Sequence, residues 1–458
     1  MASNSTPSAH DINYLVGMFE QSRFAETETL ARTMTAQHPY FGFGWKALSV
    51  ALQQQGKLDD SLTAIRKAVM LLPHDAEVYN NFGALLLEQG DLIEAEKQCR
   101  KSVSLQPGFI SAQANLALIL KDLGHLEQSE ALCRQALHID PKYHEACNTL
   151  GLVLFKQSRF KESSEVLKLA LIRSPNNCKY HLNLGLSLAA CGDFDAGDAS
   201  LRKSLTLLCA QLDSNPCYSP NQTVPSFSSQ FARQVLFDAH ERLEKAQIPF
   251  FLSSGTLLGI VRDGDTMPYD KDLDIGFLWE TDRELVVHSL CHDGLFEDYR
   301  AAYHSKQDRE IYIPLRYTTG LALDLFFHQP NKNNFICGFN TPLRITSKPK
   351  RFNLKQFSWY GRNWLIPDDT DRYFTDYYGE NWKHPDPGFD TILSSQCQTP
   401  ESRRGRWCFG CHKLFSRMKN CEWSRAIRYC EQLLALREDS TIQDITVWLK
   451  RKLEHHEG

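Results

Sequence analysis

The chain has 458 residues, of which 42% are hydrophobic and 23% are charged, and its formal net charge at pH 7 is -4. This balance is that of an ordinary folded protein and gives no overall basic signal, so we expect no nucleic-acid partner. No apolar run is long enough for a transmembrane segment, and the first residues lack the basic and apolar regions of a signal peptide. These features predict a cytoplasmic protein with room for two or three domains.

The first half of the sequence repeats every 34 residues, at a proline, at a small residue and at a turn position that is mostly glycine. The prolines are Pro39, Pro73, Pro107, Pro141 and Pro175; the small residues are Gly83, Ala117, Gly151 and Gly185; the turn residues are Gly56, Gly90, Gly124, Ser158 and Gly192. This pattern resembles the tetratricopeptide repeat, a helical hairpin that buries its apolar side against its neighbours. It predicts an all-α solenoid over residues 8–211, with five clear repeats from residue 42 and a degenerate first one.

Such a solenoid is expected to dock a protein or peptide. Asn81, Asn115 and Asn183 occupy the same position in their repeats. Together they could form a ladder that hydrogen-bonds an extended peptide, and this ladder is similar to the one in the repeats of O-linked N-acetylglucosamine transferases. The alternative is that these amides bridge adjacent repeats or face water.

Residues 212–228 are rich in Pro, Ser and Asn and have no periodicity, which predicts a linker. Residues 230–246 then have apolar residues at helical spacing. The segment that follows, residues 250–277, has an order of residues that predicts a strand, a turn, a short helix and a second strand. It is the part of the chain from which its chemistry can be argued.

The second of these strands contains Asp272 and Asp274. Because side chains alternate between the faces of a strand, both carboxylates project from one face, roughly 7 Å apart. Such a pair is unfavourable unless a cation lies between its members, and carboxylate oxygens suit Mg²⁺ or Mn²⁺. Asp324, a single acid in a later apolar strand, is the candidate third ligand and could also take a proton from an attacking hydroxyl. The alternative for these acids is a solvated acidic turn.

The turn after the first strand contains three small or hydroxyl residues, Ser254, Gly255 and Thr256. Their backbone amides and hydroxyls could bind phosphate oxygens, since small side chains allow a close approach. Arg262 could bind the same phosphate with its planar guanidinium. Its alternative is a surface ion pair with Asp263 or Asp265.

Four short motifs act together here: Gly255-Thr256-Leu257-Leu258-Gly259, Arg262, Pro268-Tyr269-Asp270 and Asp272-Leu273-Asp274-Ile275. Their combination resembles the LicD/fukutin-like family, and residues 364–367 and 378–382 are similar to the closing segment of that family. The resemblance covers about residues 229–395. It implies an α/β (α+β) nucleotidyltransferase-like domain with a mixed sheet at residues 229–400, and it adds Asp270 to the substrate- and phosphate-binding residues. Lys271 and Asp263 depart from the residues that bacterial members often carry, so the metal number or the donor could differ.

The resemblance implies a metal-dependent phosphotransferase. Such an enzyme moves phosphocholine or an alditol phosphate from a cytidine diphosphate (CDP) donor to a hydroxyl of a glycan or glycoconjugate, with Asp272, Asp274 and Asp324 as its catalytic metal site. The repeats would dock the acceptor or a partner protein. Three alternatives stay open: a nucleotidyltransferase that uses a nucleoside triphosphate, a sugar transferase, and an adaptor that carries an inactive transferase fold.

Residues 401–458 are expected to form a helical extension that contains cysteines. Four cysteines could hold a structural Zn²⁺: Cys397, just before this extension, and Cys408, Cys411 and Cys421 within it. The alternative is that they are small buried apolar residues. Residues 424–439 and 441–455 are predicted to be two amphipathic helices that cover the catalytic domain.

Overall fold

The computed structural model describes residues 6–214, 228–267, 272–299, 311–339, 343, 345–386 and 389–457. Its contacts divide the chain into two compact units, one of Met1–Leu154 with Glu165–Pro175 and one of Phe155–Ser164 with Asn176–Gly458. Across the described ranges, no helix combines the length and the apolar character needed to cross a lipid bilayer. Most of the predicted linker, 212–228, lies outside these ranges.

Residues 6–214 fold into twelve helices, and from α3 onward the first helix of each pair begins 34 residues after the one before. They are α1 (Ala9–Glu20), α2 (Phe24–Gln37), α3 (Gly42–Gln54), α4 (Leu58–Leu71), α5 (Ala76–Gln89), α6 (Leu92–Leu105), α7 (Ile110–Asp122), α8 (Leu126–Ile139), α9 (His144–Lys156), α10 (Phe160–Arg173), α11 (Cys178–Ala190) and α12 (Phe194–Ser214). The last two helices belong to the second unit. The predicted all-α repeat solenoid is confirmed.

The small residues of the repeat lie where the two helices of a pair come closest together. A Cβ atom added to Gly83 in α5 would collide with the Cys99 sulfur in α6. One added to Gly185 in α11 would come within 2.7 Å of Leu201 in α12. Protein interiors leave little room for such an atom. The small residues therefore recur every 34 residues because each pair of helices has the same close contact.

The turn position of each repeat has a left-handed backbone. Gly90 has a φ of 90° and Gly124 a φ of 86°, a region that glycine enters without steric cost. Serine occupies this position in two repeats, as Ser22 with a φ of 58° and Ser158 with a φ of 61°. These two serines hold a conformation that is unfavourable for a residue with a Cβ atom.

We expect Ser158→Gly to raise the free energy of unfolding by about 0.5–1 kcal/mol, because it removes the steric cost of the left-handed backbone. Chemical denaturation of the full chain, compared with wild type, measures this change. Gly124→Ser is the matched control and should lower stability by a similar amount. Two variants that shift stability in the same direction would contradict this explanation of the turn.

The second unit contains a mixed sheet, with seven strands within the described residues. They are β1 (Phe251–Leu252), β2 (Asp272–Leu278), β3 (Phe296–Asp298), β4 (Tyr312–Tyr317), β5 (Ala322–Asn331), β6 (Asn334–Phe339) and β7 (Ile345–Ser347), in the order β1-β2-β5-β4-β3, with β6 between β5 and β7. The strands β2 and β5 pair in parallel, and the other pairs are antiparallel. The predicted mixed sheet is confirmed. A separate hairpin consists of β8 (Leu354–Trp359) and β9 (Arg362–Pro367).

Among the described residues, four helices accompany the sheet: α13 (Ser229–Lys245), α14 (Ser254–Asp263), α15 (Arg283–Cys291) and α16 (Thr370–Tyr378). The first of them agrees with the predicted helix to within a residue at each end. Ser228 caps it by accepting a hydrogen bond from the Phe231 amide at 3.2 Å. Its buried residues share one hydrophobic core with the central strands and with Trp364 of β9. This core fixes the strands that carry the candidate site.

The C-terminal part contains α17 (Thr391–Ser394), a 3₁₀ turn (Pro400–Ser402), α18 (Arg403–Lys419), α19 (Trp423–Leu436) and α20 (Ser440–Glu457). The last two correspond to the predicted amphipathic helices. The helix α18 lies within the extension that was predicted to be helical, but its bounds were not predicted, because basic residues interrupt its apolar ones. The C-terminal helices share a hydrophobic core with Ile345 of β7 in the sheet and also with α11 and α12, a contact that was not predicted.

A buried carboxylate joins α12 to the C-terminal helices. Asp198 in α12 accepts a hydrogen bond from the Trp407 indole at 2.6 Å and one from Arg437 at 2.5 Å. Arg202 of the same helix binds this carboxylate at 2.7 Å and Asp439 at 3.1 Å. The Arg437 guanidinium also lies 3.6 Å from the centre of the Trp407 ring. Asp198 therefore accepts hydrogen bonds from three side chains, those of Trp407, Arg437 and Arg202.

The four cysteines predicted as zinc ligands are not arranged as such. Cys421 takes part in a disulfide bond. Because Cys408 and Cys411 are three residues apart, they share one face of α18, and this face is buried. Burial raises the pKa of the Cys408 thiol to about 12. Cys397 lies 3.3 Å from the Ser395 hydroxyl. Nothing in these contacts supports the zinc hypothesis.

At one position of the predicted asparagine ladder, the amide bridges two adjacent repeats, which was the alternative to peptide binding. The Asn115 amide donates to the Asn80 side-chain oxygen at 2.9 Å, and Asn80 lies in the preceding repeat. Asn81 is half-buried. Asn183 lies in the second unit, where its backbone carbonyl accepts a hydrogen bond from the Ser187 hydroxyl at 2.9 Å. At Asn115 the amide thus bridges two repeats, and the peptide-binding ladder stays a prediction.

Candidate functional site

A cavity of about 790 Å³ lies in the second unit, at the strand that carries the predicted acids. Its volume is in the range of cavities that bind small molecules. The lining contains acidic, small, aromatic and basic side chains. Among them are Asp272, Asp274, Ser253, Ser254, Gly255, Arg262, His328, Tyr377, Tyr378, Trp382, Phe389, Arg417, Arg425, Arg428 and Tyr429.

The three predicted acids come together through the parallel pairing of β2 with β5. Asp274 lies directly opposite Asp324 in this pairing, and Asp272 lies opposite Ala322. Asp274 and Asp324 are 8% and 6% exposed, whereas Asp272 is half-buried. Asp272 and Asp274 line the cavity, and Asp324 is not among its lining residues. The structure therefore gives no support to Asp324 as a group that reaches an attacking hydroxyl directly.

The three carboxylates oppose one another electrostatically. Burial, followed by the charges of Asp272 and Asp324, holds the pKa of Asp274 well above its usual range. The Gly255 amide offsets part of this effect by donating to Asp274 Oδ2 at 2.9 Å. Tyr312 donates its hydroxyl to Asp324 Oδ1 at 3.1 Å. Such a cluster is stabilised by a proton or by a cation.

The donor atoms suit a hard cation such as Mg²⁺ or Mn²⁺, because carboxylate oxygens are the ligands these ions prefer. The raised pKa of Asp274 marks the repulsion that a cation would relieve. One oxygen of Asp274 and one of Asp324 already accept hydrogen bonds. In the part of the chain that the structure describes, no three His, Cys, Asp or Glu side chains are grouped closely enough to hold a metal ion. The fit thus rests on donor chemistry, with Asp272 and Asp274 as the cavity-facing pair.

The small residues of the turn are divided between two roles. Ser254 and Gly255 line the cavity, in agreement with a part in substrate binding. Thr256 is 1% exposed and is not among the lining residues. Its hydroxyl accepts a hydrogen bond from the Asp274 amide at 2.7 Å. The prediction that Thr256 binds phosphate is therefore corrected: its hydroxyl holds β2 in place, because the helix α14 turns it toward the sheet.

Tyr373 supports this turn and was not found from the sequence. Its hydroxyl accepts a hydrogen bond from the Ser254 amide at 3.1 Å and lies 3.1 Å from the Ser253 hydroxyl. Ser254 has a left-handed backbone with a φ of 46°, which is unfavourable for serine. Burial raises the pKa of Tyr373, so the hydroxyl stays protonated. In the sequence Tyr373 is one of many aromatic residues, and nothing local separates it from core residues.

We expect Tyr373→Phe to lower the free energy of unfolding by about 0.5–1.5 kcal/mol, because the half-buried Ser254 amide loses its acceptor. Thermal unfolding of the full chain checks this value. Tyr40→Phe is the control, since Tyr40 is 66% exposed and should tolerate the change. Equal stability of the Tyr373 variant and wild type would show that this hydrogen bond does not hold the turn.

Arg262 lines the cavity, but its guanidinium binds the neighbouring acid. It donates to both carboxylate oxygens of Asp263, at 2.9 and 2.8 Å, and this contact lowers the pKa of Asp263. Asp265 pairs with Arg233 instead. The ion pair that was the alternative for Arg262 is thus present, and its phosphate contact stays a prediction. Asp270 lies outside the described residues.

His328 is a second residue that the sequence did not single out. It lies on the same face of β5 as Asp324 because the two are four residues apart. It is 1% exposed, lines the cavity and packs against Phe251, with 5.0 Å between the ring centres. Burial lowers its pKa to about 4, so the ring is neutral at pH 7. A polar residue at the end of an apolar strand was the signal that could have revealed it.

Comparisons with known proteins agree with the two kinds of structure. Residues 247–372 match the family model described as LicD/FKTN/FKRP, nucleotidyltransferase domain. Residues 46–108 and 110–143 match models of the tetratricopeptide repeat. Among solved structures, the Cut9–Hcn1 hetero-tetramer of the APC/C is 17% identical with a TM-score of 0.41, covering 43% of this chain and 40% of that one.

The relatives of this chain include a bacterial protein and a mammalian enzyme. An uncharacterised protein of Rickettsia prowazekii (strain Madrid E) is 33% identical over 105 residues, which cover 22% of this chain and 35% of that protein. The ribitol-5-phosphate transferase FKTN of Homo sapiens is 29% identical over 96 residues, which cover 21% of this chain and 20% of the enzyme. The chain thus spans only about a third of the first relative and a fifth of the second. It carries tetratricopeptide repeats followed by a LicD/FKTN/FKRP nucleotidyltransferase domain at residues 247–372.

Proposed function

We propose that the chain is a metal-dependent phosphotransferase that modifies glycans. It would move a phospho-substituent, phosphocholine or an alditol phosphate, from a CDP-linked donor to a hydroxyl of a glycan or glycoconjugate. The observation that carries the proposal is that Asp272 and Asp274 line a cavity, with Asp324 opposite Asp274 on the neighbouring strand, in a part of the chain that matches the LicD/FKTN/FKRP family. Similarity to a ribitol-5-phosphate transferase favours an alditol phosphate among the head groups.

In this proposal Asp272 and Asp274 hold Mg²⁺ or Mn²⁺, and Asp324 supports them from the neighbouring strand. The bound ion would neutralise charge on the donor phosphates. The Gly255 amide orients Asp274, and the Ser254 hydroxyl at the cavity is available to a phosphate oxygen. The acceptor oxygen forms a bond to the phosphorus that bears the head group. The bond from that phosphorus to the oxygen of cytidine monophosphate (CMP) breaks, CMP leaves, and the hydroxyl proton passes to water.

Two other functions use parts of the same structure. A nucleotidyltransferase with a nucleoside triphosphate donor needs the same acids, and it would release pyrophosphate instead of CMP. An adaptor with an inactive fold has no physical need for mutually repelling carboxylates, so the acids on the neighbouring strands β2 and β5 favour an active enzyme. The repeats are proposed to dock the acceptor or a partner protein, which is the usual role of such an array.

A donor screen of the full chain tests the proposal. With Mg²⁺ or Mn²⁺ present, CDP-ribitol, CDP-choline, CTP and sugar nucleotides are compared by thermal shift and by the product released. A ligand at a hundred times its Kd stabilises the fold by about 2.7 kcal/mol, so the preferred donor should stand out. Metal-dependent release of CMP from a CDP conjugate is the expected result. Release of pyrophosphate from CTP would favour the nucleotidyltransferase, and no metal-dependent response would favour the adaptor.

A further inference from the structure

Three arginines from the C-terminal helices line the same cavity as the acids. Arg417 lies on α18, and Arg425 and Arg428 lie on α19. All three are outside residues 247–372, the part of the chain that matches the family model. Because Arg425 and Arg428 are three residues apart on a helix, they share one face of it. The C-terminal helices thus add three arginines to the cavity that Asp272 and Asp274 also line.

The present ion pairs of these arginines leave an excess of positive charge. Arg417 binds both carboxylate oxygens of Glu422, at 2.8 and 3.0 Å, and Arg425 binds one of them at 2.8 Å. Arg428 binds Asp386 at 3.0 Å. Three guanidinium groups therefore face two carboxylates. The group is suited to an additional anion.

The pairs of Arg425 and Arg428 are also exposed to water. The side chains of Arg425 and Arg428 are 62% and 49% exposed, and that of Asp386 is 60% exposed. Exposed ion pairs of this kind contribute little stability, so a ligand can replace them at low cost. Arg417 differs, since its side chain is only 20% exposed and it holds Glu422. The two exposed arginines are thus the ones available to a ligand.

The geometry points to Arg425 and Arg428 as a binding site for a phosphate group of the substrate, in the same cavity as Asp272 and Asp274. The planar guanidinium matches two oxygens of a phosphate at once, and a dianion binds more strongly than a single exposed carboxylate. Asp272 and Asp274 repel a phosphate that is not bound to their metal ion. Such a phosphate therefore needs positively charged side chains to bind it. This inference rests on the proposed function for the statement that the phosphate belongs to a substrate.

The phosphate has two possible sources, the donor diphosphate and a phosphorylated sugar of the acceptor. Isothermal titration calorimetry of the full chain with CDP and with glucose 6-phosphate distinguishes them. We expect Arg425→Gln/Arg428→Gln to bind one of these probes roughly tenfold to a hundredfold more weakly than wild type. A loss for CDP identifies the donor phosphate, and a loss for glucose 6-phosphate identifies the acceptor.

Arg451→Gln on α20 is the matched control, because it removes a charge from an exposed residue that does not line the cavity. It should bind both probes as wild type does. Arg428→Lys keeps the charge without the planar fork and should bind with intermediate affinity. Equal binding of both probes by the double variant and wild type, or no binding of either probe to wild type, would overturn the inference.

The same chain tests the proposed function separately. If the chain binds CDP through these arginines but releases no CMP from any CDP conjugate, the phosphate site is supported and the proposed phosphotransferase activity is contradicted. If wild type and the double variant release CMP at the same rate and bind each probe with the same affinity, the proposed phosphotransferase activity is supported and the phosphate site is contradicted.

Discussion

Asp274→Asn should lower the rate of transfer roughly a thousandfold while making the metal-free chain more stable. The loss of rate follows because a metal ion supplies several kcal/mol of transition-state stabilisation and this substitution weakens its site. The gain in stability, about 1–3 kcal/mol, follows because a neutral amide replaces a buried carboxylate beside two others. Asp298→Asn, at an exposed aspartate of β3, is the control and should change neither property.

The gain in stability should depend on pH. The pKa of Asp274 is raised in the folded chain, so the folded state binds this proton more tightly than the unfolded state does. Stability from this group is therefore present at low pH and is lost as the pH rises from the ordinary carboxyl range through the raised pKa. The variant and wild type should converge in acid and differ most at neutral pH. Mg²⁺ should reverse the order by stabilising wild type alone.

Thermal unfolding over a range of pH, with and without Mg²⁺, measures these effects. A variant that is less stable than metal-free wild type at neutral pH would show that the carboxylate cluster is not repulsive. A variant that retains both full transfer and the same Mg²⁺ dependence would exclude Asp274 from the metal site.

Asp198→Ala should lower the free energy of unfolding by about 1–3 kcal/mol, because the buried Trp407 indole loses its acceptor, whereas the partly exposed Arg202 and Arg437 keep Asp439 as a partner. The substitution removes the acid that binds Trp407, Arg437 and Arg202 together. Since this contact joins α12 to the C-terminal helices, the loss should also weaken phosphate binding at Arg425 and Arg428. Chemical denaturation of the full chain, followed by tryptophan fluorescence, reports the change directly.

Asp213→Ala provides the comparison for this prediction. Asp213 also binds the C-terminal part, through the Trp448 indole at 3.0 Å and Lys452 at 2.7 Å. Its side chain is 53% exposed, so its loss should cost at most about 1 kcal/mol. Similar losses from the two substitutions would mean that burial does not decide the strength of these contacts.

Where structural information was local, the sequence was sufficient. The 34-residue period predicted the helical pairs, because each pair is built from contacts within one repeat or with the next. The left-handed turn at Ser158 follows from the same register. Likewise, Asp272 and Asp274 share a face because they are two residues apart in one strand. The motif around them also led to the LicD/fukutin-like resemblance.

Where contacts joined distant parts of the chain, the sequence was not sufficient. The hydroxyl of Thr256 was predicted to bind phosphate, and only the position of β2 beside α14 shows that it binds the Asp274 amide. Cys408 and Cys411 had the spacing of metal ligands, yet the same spacing on a helix turns both toward the core. Local spacing gives the direction of a side chain but not what lies opposite it.

The sequence by itself therefore determined the repeat helices, the mixed-sheet domain and the pair of acids on one strand. The tertiary structure decided that Asp324 lies opposite Asp274, that Tyr373 supports the turn at Ser254, and that arginines of α19 reach the same cavity. The repeat helices and the shared face of the two acids depend on periodicity along the chain, whereas the mixed-sheet domain was implied by the LicD/fukutin-like resemblance. The features that the tertiary structure decided depend on strand register and on the packing of segments far apart in sequence, which are fixed only when the whole core forms.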